Sequence, residues 1–149
     1  MTDEEIYRKH ADDLVRFATG LVGLFDAPDV VTDACLRSFS SPNWPSVTNP
    51  RAYLYRAVLN QARSHHRSTL RRRVREMRTA AREETWSPEI DVDVLAAVDR
   101  LSVQQRAVVV LTYWEDLDPA QVAARLQIGE GSVRRHLARA RARLREELR

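Results

Sequence analysis

Asp116–Arg145 reads DLDPAQVAARLQIGEGSVRRHLARARARLR, and the fold is decided here. Asp118 can cap a first helix, Pro119 suits its first turn, and Gln121 stands three residues after the cap, the spacing of a capping box. Val122, Ala123 and Leu126 give that helix a short apolar face. Ile128-Gly129-Glu130-Gly131 interrupts the face, and two glycines within three residues suit a tight turn. A second helix follows with Val133, Leu137, Ala140 and Leu144 at helical spacing, while Arg134, Arg135, Arg139, Arg141, Arg143 and Arg145 cover its other sides. A buried stripe backed by arginines on the second helix of a helix-turn-helix is what major-groove recognition needs. The plainer alternative is a solvated helical hairpin with an arginine-rich surface, and the stretch alone leaves both open.

The 149 residues carry a formal net charge of +3, which hides a block pattern. Residues 1–50 balance to −4, residues 51–82 to +9, residues 83–118 to −7 and residues 119–149 to +5. Two basic segments separated by an acidic one predict two anion-binding surfaces on one chain. The +9 block holds ten arginines against Glu76 alone. Like charges this dense repel unless a polyanion is at hand, which argues against two merely solvated helices. Lys9 is the only lysine. The guanidinium fork suits bidentate contacts to phosphate and guanine, although a GC-rich genome would give the same bias. Cys35 is the only cysteine, which excludes an internal disulfide and a cysteine-built zinc site. No N-terminal apolar run resembles a signal peptide and no stretch approaches a membrane span, so a cytoplasmic location without membrane insertion is expected.

The remainder reads as helix throughout. Tyr7, Ala11, Leu14, Ala18 and Leu21 recur at helical spacing, widened by Phe17 and Val22. Gly20, Gly23, Asp26 and Pro28 mark a break, after which Asp29 is expected to cap a second helix running to about Phe39, with Asp29 and Asp33 one turn apart on its surface. Residues 40–46 are a loop by composition, and Trp44 between two prolines calls for a packing or stacking partner. Asn49-Pro50 opens a third helix from Arg51 past Arg67, where Tyr53 and Tyr55 alternate with Arg51, Arg56, Arg63 and Arg67. Aromatics among arginines suit single-stranded nucleic acid, and equally suit half-buried tyrosines of a core. Periodicity fades from Leu70, and residues 76–92 read as a linker, with a helical start. Ser102 and Gln105 form a second capping-box pattern before an apolar helix to about Tyr113, placed beneath the helix-turn-helix. No strand-like alternation occurs. The expected fold is all-α: two small helical domains, 1–75 and 93–149, joined by a linker at 76–92, the second containing the helix-turn-helix.

Catalytic signatures are missing: no phosphate-cradling glycine loop, no HExxH and no nucleophile elbow. His65 and His66 are adjacent, and neighbours on a helix diverge, so no metal site, cofactor or enzymatic activity is expected. Five motifs in order then carry a family resemblance. Residues 27–34, APDVVTDA, resemble the A-E-D-V-V-Q-E-A segment of bacterial sigma factors of the extracytoplasmic-function type. Residues 49–60, NPRAYLYRAVLN, resemble the P-x-x-W-L-x-x-x-x-x-N helix of that family, with Tyr53 in place of Trp. LSVQQR at 101–106 is similar to L-P-x-x-x-R, LQIGEGSV at 126–133 to L-G-I-S-x-G-T-V, and Arg139-Ala140-Arg141 to the closing R-A-R. The resemblance covers about 5–80 and 93–147.

The resemblance implies a promoter-specificity subunit that binds core RNA polymerase and promoter DNA, with an anti-sigma factor as a partner common in the family. It places Asp29 and Asp33 on the polymerase-binding surface. It places Asn43 and Trp44 in the loop that reads a flipped −10 base, and Asn60, Arg63 and Arg67 on the opened −10 strand. Ser132, Arg134, Arg135 and Arg139 fall on the helix that reads the −35 duplex. Two other classes stay open at this point. One is a free-standing helix-turn-helix regulator with an N-terminal dimerisation or sensing domain; the other is a nucleic-acid-processing enzyme using His65 and His66.

Overall fold

Thr2 accepts from the Glu5 amide and the Glu5 carboxylate accepts from the Thr2 amide, so a capping box opens the first helix. The computed structural model describes residues 1–76 and 97–148, and for 67–76 it describes the backbone. Helix α1 spans Asp3–Val22, α2 Ala27–Ser40 and α3 Pro50–Glu76. A helical turn at 97–99 precedes α4 at Val103–Tyr113, α5 at Pro119–Leu126 and α6 at Glu130–Glu147. One 3-10 turn, Trp44–Ser46, lies between α2 and α3. No strand occurs among the described residues. The expected linker, Glu76 apart, lies outside the described residues together with the start of the second expected domain.

Helix α1 buries Ile6, Leu14, Phe17, Ala18 and Leu21 against α2 and α3. Helix α3 returns Leu54, Tyr55, Val58, Leu59 and Ala62 to the same centre, where the Tyr55 and Phe17 rings lie 4.9 Å apart. Helix α4 buries Val108, Val109, Val110 and Leu111 and lies beneath α5 and α6, as its apolar run requires. It also packs on α1 and α3, so one continuous apolar cluster joins the two halves of the chain. Both expected capping boxes are present. Ser102 and Gln105 exchange bonds at 3.1 and 3.2 Å, and Asp118 and Gln121 at 2.8 and 2.9 Å.

Three local expectations need correction. Asp29 does not cap α2; the helix begins at Ala27 with Asp26 at the cap position, and Asp29 stands in the first turn, where its charge favours the positive end of the helix dipole. The glycines at 129 and 131 do not make the sharp step of the helix-turn-helix. Gln127 does, with φ 54°, and Gly129 caps α6 in an extended conformation. The third helix, expected from Arg51 past Arg67, does run on to Glu76 although its apolar periodicity fades from Leu70. Arginine is a strong helix former, so a helix can run on without an apolar stripe. The third correction concerns Trp44, which offers no free face for stacking on a base. Its ring is only 9% exposed, edge-on to Phe39 at 5.0 Å and to Tyr53 at 5.4 Å. Its indole N–H donates to Asp3 Oδ1 at 2.8 Å, tying the loop to the start of α1.

Two outcomes follow from this packing. Trp44→Ala should lower stability by about 3–5 kcal/mol, the usual loss for a buried large aromatic, while Trp44→Phe should lose far less. Urea unfolding of both variants checks this, and an unchanged midpoint for Trp44→Ala would contradict the burial. The Cys35 thiol is 2% exposed and desolvation pushes its pKa up to about 11. The thiolate is the reactive form, so at neutral pH Cys35 should react with a thiol reagent only after denaturation. Rapid labelling of the native chain would show that the packing around α2 opens locally.

Candidate nucleic-acid interface

Helix α6 buries Val133, Leu137 and Ala140 on one side and leaves Arg134, Arg135 and Arg139 exposed on the other. The burial follows from the i, i+4, i+7 spacing, and the same spacing forces the arginines outward. Ser132 is half-buried and its hydroxyl accepts from Arg135 at 3.0 Å. Arg134 pairs with Glu130 at 2.7 Å, an exposed i, i+4 contact that a phosphate can replace at little cost. Gly129 brings no capping side chain to the N-terminus of α6, which leaves its first amides for an outside acceptor. His136, half-buried on α6, has its pKa lowered by burial and then by Arg139, Arg135 and Arg63. At neutral pH it adds no charge to this already cationic region.

The second basic surface is the outer side of α3. Asn60 is exposed and Arg63 half-buried; Arg67 lies in the same helix, with its side chain outside the described residues. A groove of about 590 Å³ opens beside Asn60 and is lined by Arg37, Ser38, Ser41, Tyr53, Arg56 and Gln61, with Gln127 of the helix-turn-helix closing one wall. Arg37 and Arg56 were not among the expected site residues. Arg56 stands one turn before Asn60 on α3, whereas Arg37 lies on α2 with no spacing relation to it, and only the fold turns the two into one cleft. Tyr55, read as a stacking candidate, is 1% exposed and belongs to the core. Asn43 is exposed just before the 3-10 turn that buries Trp44.

Asp29 and Asp33 are exposed one turn apart on α2, and Leu36, 60% exposed, continues the same side. His65 is paired on α3 with a residue at the start of α2. Its Nε2 lies 3.1 Å from the Asp26 carboxylate, and no group of three His, Cys, Asp or Glu among the described residues could hold a metal ion. No helix of the described residues is long and apolar enough to cross a membrane.

Comparison with known proteins accounts for both halves. Residues 6–73 match the Sigma-70 region 2 family and residues 91–144 the Sigma-70, region 4 family. The chain is 36% identical over 155 aligned residues to an RNA polymerase sigma-E factor of Streptomyces antibioticus, spanning 97% of this chain and 83% of that protein. It is 35% identical to the sigma-E factor of Streptomyces coelicolor, across 97% and 85% of the two chains. It is also 31% identical to the ECF RNA polymerase sigma factor SigL of Mycobacterium tuberculosis, across 89% and 80%. The fold resembles that of the sigma factor RpoE solved with the anti-sigma factor NepR from Bartonella quintana, with a TM-score of 0.60, 23% identity and coverage of 97% and 95%. A free-standing regulator leaves the region 2 half unexplained. The chain is a sigma factor, belonging to the extracytoplasmic-function type of the sigma-70 family.

Proposed function

We propose that this sigma factor docks core RNA polymerase on the exposed Asp29–Asp33–Leu36 side of α2, reads −35 duplex with α6, and holds the opened −10 strand along α3. The observation that carries the reading is the division of α6: three apolar positions buried, with Arg135 and Arg139 exposed on the opposite side. Arg135 and Arg139 are one turn apart and can span neighbouring base edges, while the uncapped start of α6 takes a phosphate. Along α3, Asn60 and Arg63 with Arg67 supply polar and cationic contacts to a strand whose bases are already unpaired. Trp44 serves by fixing the loop from beneath, and Asn43 at its surface is left to touch DNA. The chain performs no chemistry of its own and works with the polymerase in the cytoplasm. The anti-sigma factor named with its structural neighbour supports a similar inhibitory partner here.

In vitro transcription with core polymerase and this chain alone tests the whole reading, and two variants test its parts. Reversing both Asp29 and Asp33 to arginine should abolish recovery of core polymerase in a pull-down and leave −35 duplex binding intact, since like charges set into a complementary contact repel. Undiminished recovery would reject the α2 surface. Arg135→Ala should cost about 1–3 kcal/mol on the specific duplex and much less on scrambled DNA. Arg143→Ala, as a control, should weaken all sequences alike and lower the salt dependence. Equal losses on both duplexes for Arg135→Ala would remove it from the reading set.

A further inference from the structure

The loop between α2 and α3 carries Asn43 at its surface, and much of what holds it is local. The Ser46 hydroxyl donates to the Asn43 carbonyl at 2.8 Å, and the Asn43 amide donates to the Ser41 hydroxyl at 3.3 Å. The Trp44 and Val47 amides donate to carbonyls three residues back, both at 3.1 Å. Bonds of this type shape the loop but do not fix its place on the protein, because they move with it. The bond that reaches out runs from the Trp44 indole N–H to Asp3 Oδ1, 2.8 Å long and 41 positions apart in the chain. Apolar packing of the indole is non-directional, whereas this bond has a preferred angle and selects one orientation of the ring.

An acidic residue in the first turn of a helix is ordinarily explained by the helix dipole. Asp3 has that position in α1, beside Glu4 and Glu5. Those two carboxylates are used locally: Glu5 closes the capping box on Thr2, and Glu4 pairs with Arg8 at 2.6 Å. Asp3 instead reaches across to another element, from a backbone that the capping box holds in place. What Trp44 touches extends the effect. Its ring is edge-on to Tyr53 at 5.4 Å, and Tyr53 lines the groove that also holds Asn60 and Arg56. The orientation of the indole therefore bears on the loop that presents Asn43 and on one wall of the groove beside Asn60. A contact group on a loop gives its full affinity only where the loop is already in place, since ordering it on binding subtracts from the gain.

We propose that Asp3 is a positioning residue for capture of the −10 strand: by holding the Trp44 indole it presets the Asn43 loop and the Tyr53 wall of the groove. The start of α1 thereby acts on promoter opening through Trp44, without belonging to the contact set itself. This rests on the reading of Asn43 and Asn60 as part of the −10 surface.

The full chain tests it, with a promoter selected by its own holoenzyme from a randomised duplex pool and with the single strand of that promoter's −10 element. Asp3→Ala removes the acceptor, and Trp44→Phe keeps a buried ring but removes the donor. Each should bind the oligonucleotide about five- to tenfold more weakly, the change expected when one net hydrogen bond is lost, and should slow open-complex formation with core polymerase by a similar factor. The double variant should be no worse than either single one, because both remove the same bond. Asp3→Asn retains an acceptor oxygen and should stay within about twofold of wild type. Glu4→Ala, which removes a first-turn charge but not the bond, should do the same. Binding of −35 duplex and recovery of core polymerase should be unchanged throughout, which shows that the variants are folded and separates positioning from general support of the fold.

Wild-type binding and opening by Asp3→Ala would overturn the role of Asp3. So would losses that add in the double variant, losses shared equally by duplex and polymerase binding, or an Asp3→Asn variant as weak as Asp3→Ala. Asn43→Ala and Asn60→Ala separate this from the reading beneath it. If they weaken oligonucleotide binding and Asp3→Ala does not, the −10 surface stands and Asp3 has no part in it. If neither of them weakens it, the −10 surface is misplaced and the role of Asp3 falls with it.

Discussion

A guanidinium with 4% exposure has to be answered by oxygens, and Arg106 is answered from both ends of the chain. It donates to the Leu21 carbonyl at the end of α1, to the Asp99 carbonyl at 2.9 Å and to the Leu101 carbonyl at 3.3 Å. The bonds to the Leu21 and Leu101 carbonyls are buried, so those two would otherwise be desolvated acceptors, while the bond to Asp99 is partly exposed. Leaving such a group without a partner costs about 1–3 kcal/mol, and an apolar side chain at 106 could satisfy none of them. One buried cation therefore ties the start of the region 4 half to the end of α1 in the region 2 half. The apolar residues around it, Leu21 and Leu101 among them, then exclude water from those bonds.

Once that angle is set, the distribution of charge becomes intelligible. The arginines of α6 are kept on the outside by a buried stripe, and their local partners are few and exposed. The Arg134–Glu130 pair is half to two-thirds exposed, as is typical of surface pairs that contribute little to stability. Arg141 is held on the Tyr113 ring, with its Nε donating to the hydroxyl at 2.8 Å. A surface of this type is poised for a polyanion: its cations are aligned by the helix but weakly engaged. The arginines of α3 differ, since Arg56 and Arg63 are engaged by groups of the other half.

What was legible in the sequence was local. The capping boxes at Ser102–Gln105 and Asp118–Gln121, the apolar run of α4 and the stripe of α6 each depend on residues within one or two turns, and each stands where its spacing placed it. The failures share a different cause. Trp44 looked like a loop aromatic until Asp3, 41 positions away, took its indole proton. Gln127 adopted a conformation usually left to glycine or asparagine, with its carbonyl set against Arg56 from α3. The groove residues Arg37 and Arg56 sit on separate helices, and nothing in either helix announces the other. Charge blocks located the two basic segments, but the face that each arginine presents was decided by packing.

The contact between the halves is built from terms of two kinds, and their difference bears on how it can come apart. Gly20 against Val110 and the buried faces of α1 and α4 are apolar, so separating them exposes surface at about 25 cal/mol per Å². Arg56 on the α5 carbonyls, Arg63 on Gln104 and Arg125 on Tyr55 are polar and lie nearer the rim, where water or a phosphate can substitute. Exchange of such bonds for solvent costs only about 0.5–1.5 kcal/mol each, somewhat more where a charge takes part. A rim of that type adds direction to the contact, while the apolar faces supply most of its free energy.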